Sequence, residues 1–211
     1  MTKQVVLFTK SFTAFTLIAS FSACSSSEKA KDKEPTGFTI EYSRDSKTKL
    51  KEGAYTRFYE SGKKYQEGHF HKDSLDGEIR YFYENGGIQT VENYKTGRYE
   101  GTYKAFWEDG KLEQEGQYVN NEMSGEWKTY YKDGVLKENV SFAHNMENGP
   151  FKEFYPSGKI KAEGAYFDGE NEHGELKEYH TSGELMRIAQ CNKGVCRTTW
   201  AADTTKFINR N

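Results

Sequence analysis

The stretch Gly125-Glu126-Trp127-Lys128-Thr129-Tyr130-Tyr131-Lys132-Asp133-Gly134 decides how the chain reads. An aromatic-rich run ends on Asp-Gly, and a second run follows from Val135 to Phe142. Asp-Gly between such runs is a strong hairpin signal. Type I′ turns need positive φ at both central residues, which Gly, Asn and Asp tolerate. Residues 125–132 are therefore strand one, Val135 to Phe142 strand two, and Ala143 to Asn148 a lead into the next unit.

The next unit begins on Gly149, and the pattern extends in both directions. Gly53, Gly77, Gly101, Gly125, Gly149 and Gly174 are spaced by 24, 24, 24, 24 and 25 residues. Nine residues after each stands a second glycine: Gly62, Gly86, Gly110, Gly134, Gly158 and Gly183. The residue before it is always Ser, Asn or Asp. A fixed period of this length marks a repeat architecture. The expectation is an all-β chain of six tandem hairpins over 53–190, bounded as 53–76, 77–100, 101–124, 125–148, 149–173 and 174–190.

Aromatic residues keep the same register. Two residues after the first glycine come Tyr55, Ile79, Tyr103, Trp127, Phe151 and Leu176, and five after it Phe58, Phe82, Phe106, Tyr130, Phe154 and Tyr179. Beside the latter lie Tyr59, Tyr83, Trp107, Tyr131, Tyr155 and His180. Equivalent positions fall two strands apart, about 10 Å. Neighbours on a strand point to opposite faces, so the Phe58 and Tyr59 columns cannot share one core. Either the sheet curls over one column or one face stays open. An open aromatic face is a binding surface, which makes Tyr59, Tyr83, Trp107, Tyr131 and Tyr155 the candidate binding residues.

Composition agrees with a thin structure. Only 35% of the 211 residues are hydrophobic, yet 15% are aromatic, and mean hydropathy is −0.95. Disordered chains are poor in aromatics, whereas a ladder of rings can bury area without a thick core. A formal charge of −2 gives no reason to expect a nucleic-acid partner.

The N-terminus carries an address. Lys3 and Lys10 precede an apolar run from Ser11 to Phe21, which closes on Ser22-Ala23-Cys24. A charged start, a short apolar run and small residues before a cysteine read as a signal peptide over 1–23. The junction resembles the bacterial lipobox, which implies acylation of Cys24 and attachment to a bacterial envelope membrane, the outer more than the inner. The polar segment from Ser25 to Pro35 then reads as a disordered tether over 24–37. Phe38-Thr39-Ile40-Glu41-Tyr42 alternates, and is expected as an edge strand within a capping element, 38–52. Residues 191–211 are expected to close the other end as a capping hairpin and tail. With Cys24 acylated in an oxidising compartment, Cys191 and Cys196 are expected to pair across that hairpin's turn.

The recurring Gly-x-aromatic-x-x-Phe-Tyr-x-(Asn/Asp/Ser)-Gly unit resembles the bacterial variant of the MORN repeat, as in the YwqK-type antitoxin family. A late Glu-Gly-x-aromatic element recurs at Glu67-Gly68, Glu115-Gly116 and Glu163-Gly164, while units two, four and six have Glu92, Val140 and Ala189 in place of that glycine. The units are thus expected to work in pairs. The resemblance implies an elongated single-layer antiparallel sheet with a role in protein or membrane contact.

Other candidate chemistry follows the repeat. Arg80, Lys104, Lys128, Lys152 and Lys177 form a cation column, but Glu67, Glu78, Glu115, Glu126, Glu163 and Glu175 stand where cross-strand pairing would neutralise it. His69 and His71 share a strand face, and the acidic segment Asp168 to His173 sits in the 25-residue unit; neither matches a metal-ligand template. No nucleophile, phosphate-loop or zinc motif occurs. The expectation is a monomeric, non-enzymatic envelope scaffold with a protein partner and neither metal nor cofactor. Carbohydrate or peptidoglycan binding and an antitoxin- or immunity-like role are the alternatives.

Overall fold

The computed structural model describes residues 26–203, which form one antiparallel sheet with no second layer among them. The signal segment 1–23 and Cys24 lie outside the described residues. The sheet opens with β1 (Ser27–Lys33), β2 (Thr39–Asp45), β3 (Lys51–Phe58) and β4 (Lys64–His71). A two-residue β5 (Ser74–Leu75) pairs only with β4, and β6 (Gly77–Phe82), β7 (Ile88–Lys95) and β8 (Arg98–Phe106) follow. Next come β9 (Leu112–Val119), β10 (Glu122–Tyr130), β11 (Leu136–Ala143) and β12 (Met146–Phe154). The far end is β13 (Ile160–Tyr166), β14 (Gly174–Tyr179), β15 (Leu185–Asn192) and β16 (Val195–Ala201). Apart from β5, each strand pairs with its neighbours in sequence. Stacked about 4.8 Å apart, the strands make a ribbon roughly 70 Å along its contour.

The turns differ from expectation in an informative way. At Asp133-Gly134 only the glycine has positive φ, 93°. Gly134 N–H donates to the Tyr131 carbonyl at 2.8 Å and Tyr131 N–H to the Val135 carbonyl at 2.8 Å. This is a type I turn closed by a glycine bulge, not type I′. Asp133 is small and polar for another reason: its Oδ1 accepts the Val135 N–H at 3.1 Å. Type I′ geometry occurs instead at the joints between repeats, where Asn120 and Asn121 have φ of 52° and 71°, and His144 and Asn145 of 54° and 64°.

Gly77 and Gly174 begin β6 and β14, but the first glycines of the other four units, Gly53, Gly101, Gly125 and Gly149, lie inside a strand. Gly125 lies inside β10, with φ 71°, where the pairing with β9 slips between Ser124 and Lys128. Such a bulge bends the strand and raises its twist.

Two further corrections concern the N-terminal end of the sheet. The tether expected over 24–37 contains β1, paired with β2 from Ser27↔Asp45 to Lys33↔Thr39. Its few apolar groups hid it, because this strand is held by backbone pairing and by polar contacts, among them Lys31–Glu41 at 2.9 Å and Tyr42 O–H donating to Asp32 at 2.7 Å. The expected edge strand at Phe38–Tyr42 is consequently one position in from the edge. At the other end Cys191 and Cys196 form a disulfide across the β15–β16 hairpin.

One face of the ribbon is packed. Its buried row is the column two residues after the first glycine, with Tyr55 at 3%, Ile79 at 0%, Trp127 at 3% and Phe151 at 3% exposed. Ile40, Tyr42, Tyr55, Phe70 and Ile79 form one apolar cluster, and Val140, Phe151, Leu176, Ala189 and Cys191 a second. The covering comes from rings on the same face, such as Tyr55 on Phe70 at 4.3 Å and Phe151 on Tyr166 at 4.3 Å between centroids.

Candidate functional site

The columns singled out from the sequence have structural duties. Tyr59, Tyr83, Tyr131 and Tyr155 follow the first strand of their hairpins and are half-buried. Each donates its hydroxyl to a main-chain carbonyl of the next repeat: Tyr59 to Phe82, Tyr83 to Phe106, Tyr131 to Phe154 and Tyr155 to Tyr179, at 2.7–2.8 Å. Burial pushes the Tyr59 and Tyr83 hydroxyls above the ordinary phenol range. This row is therefore a set of locks between repeats, not an open platform. Trp107 interrupts it, and its indole N–H is buried without a partner.

A second set of locks runs along the opposite rim. The amides of Asp73, Asn121 and Asn145, in the joints between repeats, donate to the carbonyls of Lys51, Tyr99 and Met123, at 3.0, 3.0 and 3.4 Å. Their side chains accept N–H groups from the same three residues at 2.7 Å.

Between the two apolar clusters the packed face turns polar. Glu92 is only 8% exposed, opposite Ile79 on one side and Tyr103 on the other. Tyr94 donates to it at 2.9 Å and Thr90 at 3.3 Å. Burial and then the Glu92 charge push Tyr81 and Tyr103 up to about 12. With Tyr94 and Tyr99 tilted against each other at 4.5 Å between centroids, the rings crowd around the carboxylate. Sequence reasoning registered Glu92 only as a missing glycine. A carboxylate at a position otherwise Gly, Val or Ala was the available signal.

The other face is charged. Its cation column is neutralised in place: Arg80 meets Glu67 and Glu78, Lys104 meets Glu115 at 4.0 Å, Lys152 meets Glu163 at 3.3 Å and Lys177 meets Glu175 at 2.9 Å. Tyr130 and Tyr179 also donate to Glu115 and Glu163, each at 2.8 Å. The Tyr179 hydroxyl first, and then the Lys152 ammonium, hold the Glu163 carboxyl below its usual range against the effect of burial. His71 pairs with Glu52 at 3.0 Å, and no group of three or more His, Cys, Asp or Glu side chains suited to a metal occurs among the described residues. In the Asp168–His173 segment, Phe167 N–H donates to the Asn171 carbonyl at 2.9 Å, and the Asn171 side-chain Nδ2 donates to the Asp168 carbonyl at 3.1 Å.

The charged face is not uniform. The position 18 residues after the first glycine reads His71, Lys95, Val119, Ala143 and Phe167 along the ribbon. Pairing sets Met146 beside Ala143 and Val195 opposite Asn192 on that face. Val119, Met146, Phe167 and Val195 are 45%, 46%, 43% and 69% exposed. Sequence reasoning missed this row, although the switch from His and Lys to Val, Ala and Phe in one column was legible.

Fold and surfaces together define a tandem-hairpin repeat protein, an open ribbon with one face packed by its own rings and the other charged. The chain belongs to the MORN repeat variant family, which matches over residues 51–72, 75–96, 99–120, 123–144, 147–168 and 172–190. Those boundaries start each unit two residues earlier than the glycine spacing suggests and end the first five at the joints between repeats, four or five residues earlier. Compared with curated proteins, the chain has no match. Among solved structures it is similar to "Crystal Structure of TarM", with a TM-score of 0.30 and 14% identity, over 43% of this chain and 18% of that one.

Proposed function

We propose that this protein is a non-enzymatic cell-envelope lipoprotein, held to a membrane through acylated Cys24, whose ribbon serves as a scaffold for a protein partner. Repeats of this family act as interaction modules, which supports the coarser part of the reading. The observation carrying the finer part is the contrast between faces. The packed face is consumed by its own rings, while the charged face leaves large apolar side chains in solvent. A surface of that kind is a contact surface by default. The N-terminal segment supports the anchor through its short apolar run and Cys24.

Stacking of sugars on the two tryptophans within the repeats is disfavoured. Trp127 is 3% exposed, and the indole nitrogens of Trp107 and Trp127 are both buried. An immunity-like role would be one form of the same scaffold.

Two measurements test the reading. Labelled palmitate should enter the wild-type chain and not Cys24→Ala. Crosslinking in intact cells should join the ribbon to a defined envelope protein; failure to recover any partner sinks the scaffold.

A further inference from the structure

The apolar rim of the charged face has a geometry that selects its occupant. Val119, Ala143 and Phe167 recur every 24 residues, hence two strands apart, about 9.6 Å. An α-helix brings the same face round every seven residues, about 10.5 Å. A helix lying across the strands can therefore set successive apolar side chains against successive members of this row. From β9 to β16 the row runs about 35 Å, the length of a helix of roughly 23 residues.

Charge adds a preference. Asp168, Glu170 and Glu172 flank Phe167, and Glu122 stands opposite Val119, with His144 on it at 2.7 Å. Lys193 lies over the Phe167 ring at 5.7 Å, and Arg197 stands two residues beyond Val195 on β16. Toward the N-terminal end the same rim carries His71, Lys95 and Arg98 and has no apolar row.

Area argues against a second copy of the chain. A strip about 35 Å by 10 Å would bury roughly 700 Å² over both partners, short of the 1,200–2,000 Å² or so of a stable protein pair. It suits a single helix.

We propose that the rim formed by Val119, Ala143, Met146, Phe167 and Val195 docks an amphipathic helix of a protein partner, with an apolar stripe at heptad spacing and basic residues beside it. This rests on the scaffold reading and names its partner's chemistry. The probe is a labelled synthetic 21-residue helix with leucines at heptad spacing and lysines elsewhere on its polar face. Its binding is followed by anisotropy to the full chain carrying Cys24→Ala, so that no acyl group competes. The peptide should bind at least tenfold more tightly than its scrambled form or a version with glutamates for lysines. Phe167→Asp with Met146→Asp should weaken it at least tenfold, while Ile88→Asp, at an exposed apolar position elsewhere, leaves it unchanged. Val119→Asp, in a different hairpin, repeats the test should the double variant lose its circular dichroism signal.

Equal binding of the scrambled peptide, or indifference to these substitutions, overturns the proposal. So do co-flotation with phosphatidylcholine vesicles that Phe167→Asp abolishes, self-association that Phe167→Asp abolishes, and tighter binding after removal of residues 204–211. These give the rim to lipid, to a second copy or to the chain's own tail. A crosslinked envelope partner mapping to another face would sink the helix site and leave the scaffold standing.

Discussion

Two kinds of junction hold the ribbon together, and they solve the same packing problem in opposite ways. Within pairs, at repeats one–two, three–four and five–six, the middle of the joining strand is a glycine: Gly68, Gly116 or Gly164. The next repeat's large side chain fills the dent, Ile79 over Gly68, Trp127 over Gly116 and Leu176 over Gly164. Between pairs the strand supplies its own bulk, as Glu92 or Val140, and both are buried. In a sheet without a second layer, burial has to come from sideways neighbours, so volumes must alternate along the row. The lesson is that one row, not a central core, carries the packing.

Alanine at these positions breaks the comparison most sharply. A Cβ at Gly116 would lie 2.2 Å from Trp127 Cδ2, against a rigid ring held by its neighbours. Gly116→Ala should cost about 3 kcal/mol in denaturant unfolding. At Gly68 the obstacle is Ile79 Cδ1 at 2.3 Å, the far end of a flexible side chain, and at Gly164 it is Phe151 Cε1 at 3.0 Å. The ranking Gly116, Gly68, Gly164 is the expected result, with the last near 1 kcal/mol. Equal costs at all three would show that the dents are not filled as described.

The reverse substitution follows. Glu92→Ala should cost about 2 kcal/mol, because it opens a hole beside Tyr81, Tyr94 and Tyr103 and takes the Tyr94 hydroxyl's acceptor. Alanine is too large at 116 and too small at 92. An unchanged unfolding midpoint in Glu92→Ala would contradict the alternating row.

A third experiment sharpens the locks. The Tyr130 carbonyl stands where Phe82, Phe106, Phe154 and Tyr179 each receive a tyrosine hydroxyl. Trp107→Tyr should supply the missing donor and raise stability by about 1 kcal/mol, whereas Tyr131→Phe should lower it by a similar amount. Thermal unfolding of both variants checks the pair.

The smallest effect is electrostatic. Glu138 and Glu153 stand directly opposite each other on the packed face. Burial first, and then the Glu153 charge, hold the Glu138 carboxyl above its usual range. A raised carboxylate penalises the fold above its folded pKa, and the penalty fades as pH falls through that value. Glu138→Gln should therefore stabilise at pH 7 by about 0.5 kcal/mol, with the gain disappearing as the pH drops into the ordinary carboxylate range. A gain that grows on acidification would reverse the argument.

Much of this was legible beforehand, and unevenly so. The 24-residue period and the six hairpins follow from glycines whose roles are local, while the pairing of repeats was legible only as an alternation of Gly68, Gly116 and Gly164 with bulkier residues, whose reason lies in the next repeat. Trp127 and Phe151 stood in a recognised column, but nothing local distinguished theirs as the buried one. The Tyr59 column was read as an open face because strand alternation was continued through a point where pairing shifts, between Arg57 and Phe58. That slip takes Tyr59 out of the strand and into the turn, where its hydroxyl reaches the next repeat. β1 was missed because a strand held by backbone pairing and charge leaves no hydrophobic pattern to read.

By itself, then, the sequence determined how many units there are, where each reverses and which residue types recur, since these depend on contacts a few residues apart. Only the tertiary structure decided which column is covered, which tyrosines lock neighbours together and where apolar side chains remain in water. A single bulge per strand exchanges faces, and whether it forms is settled by the strand alongside.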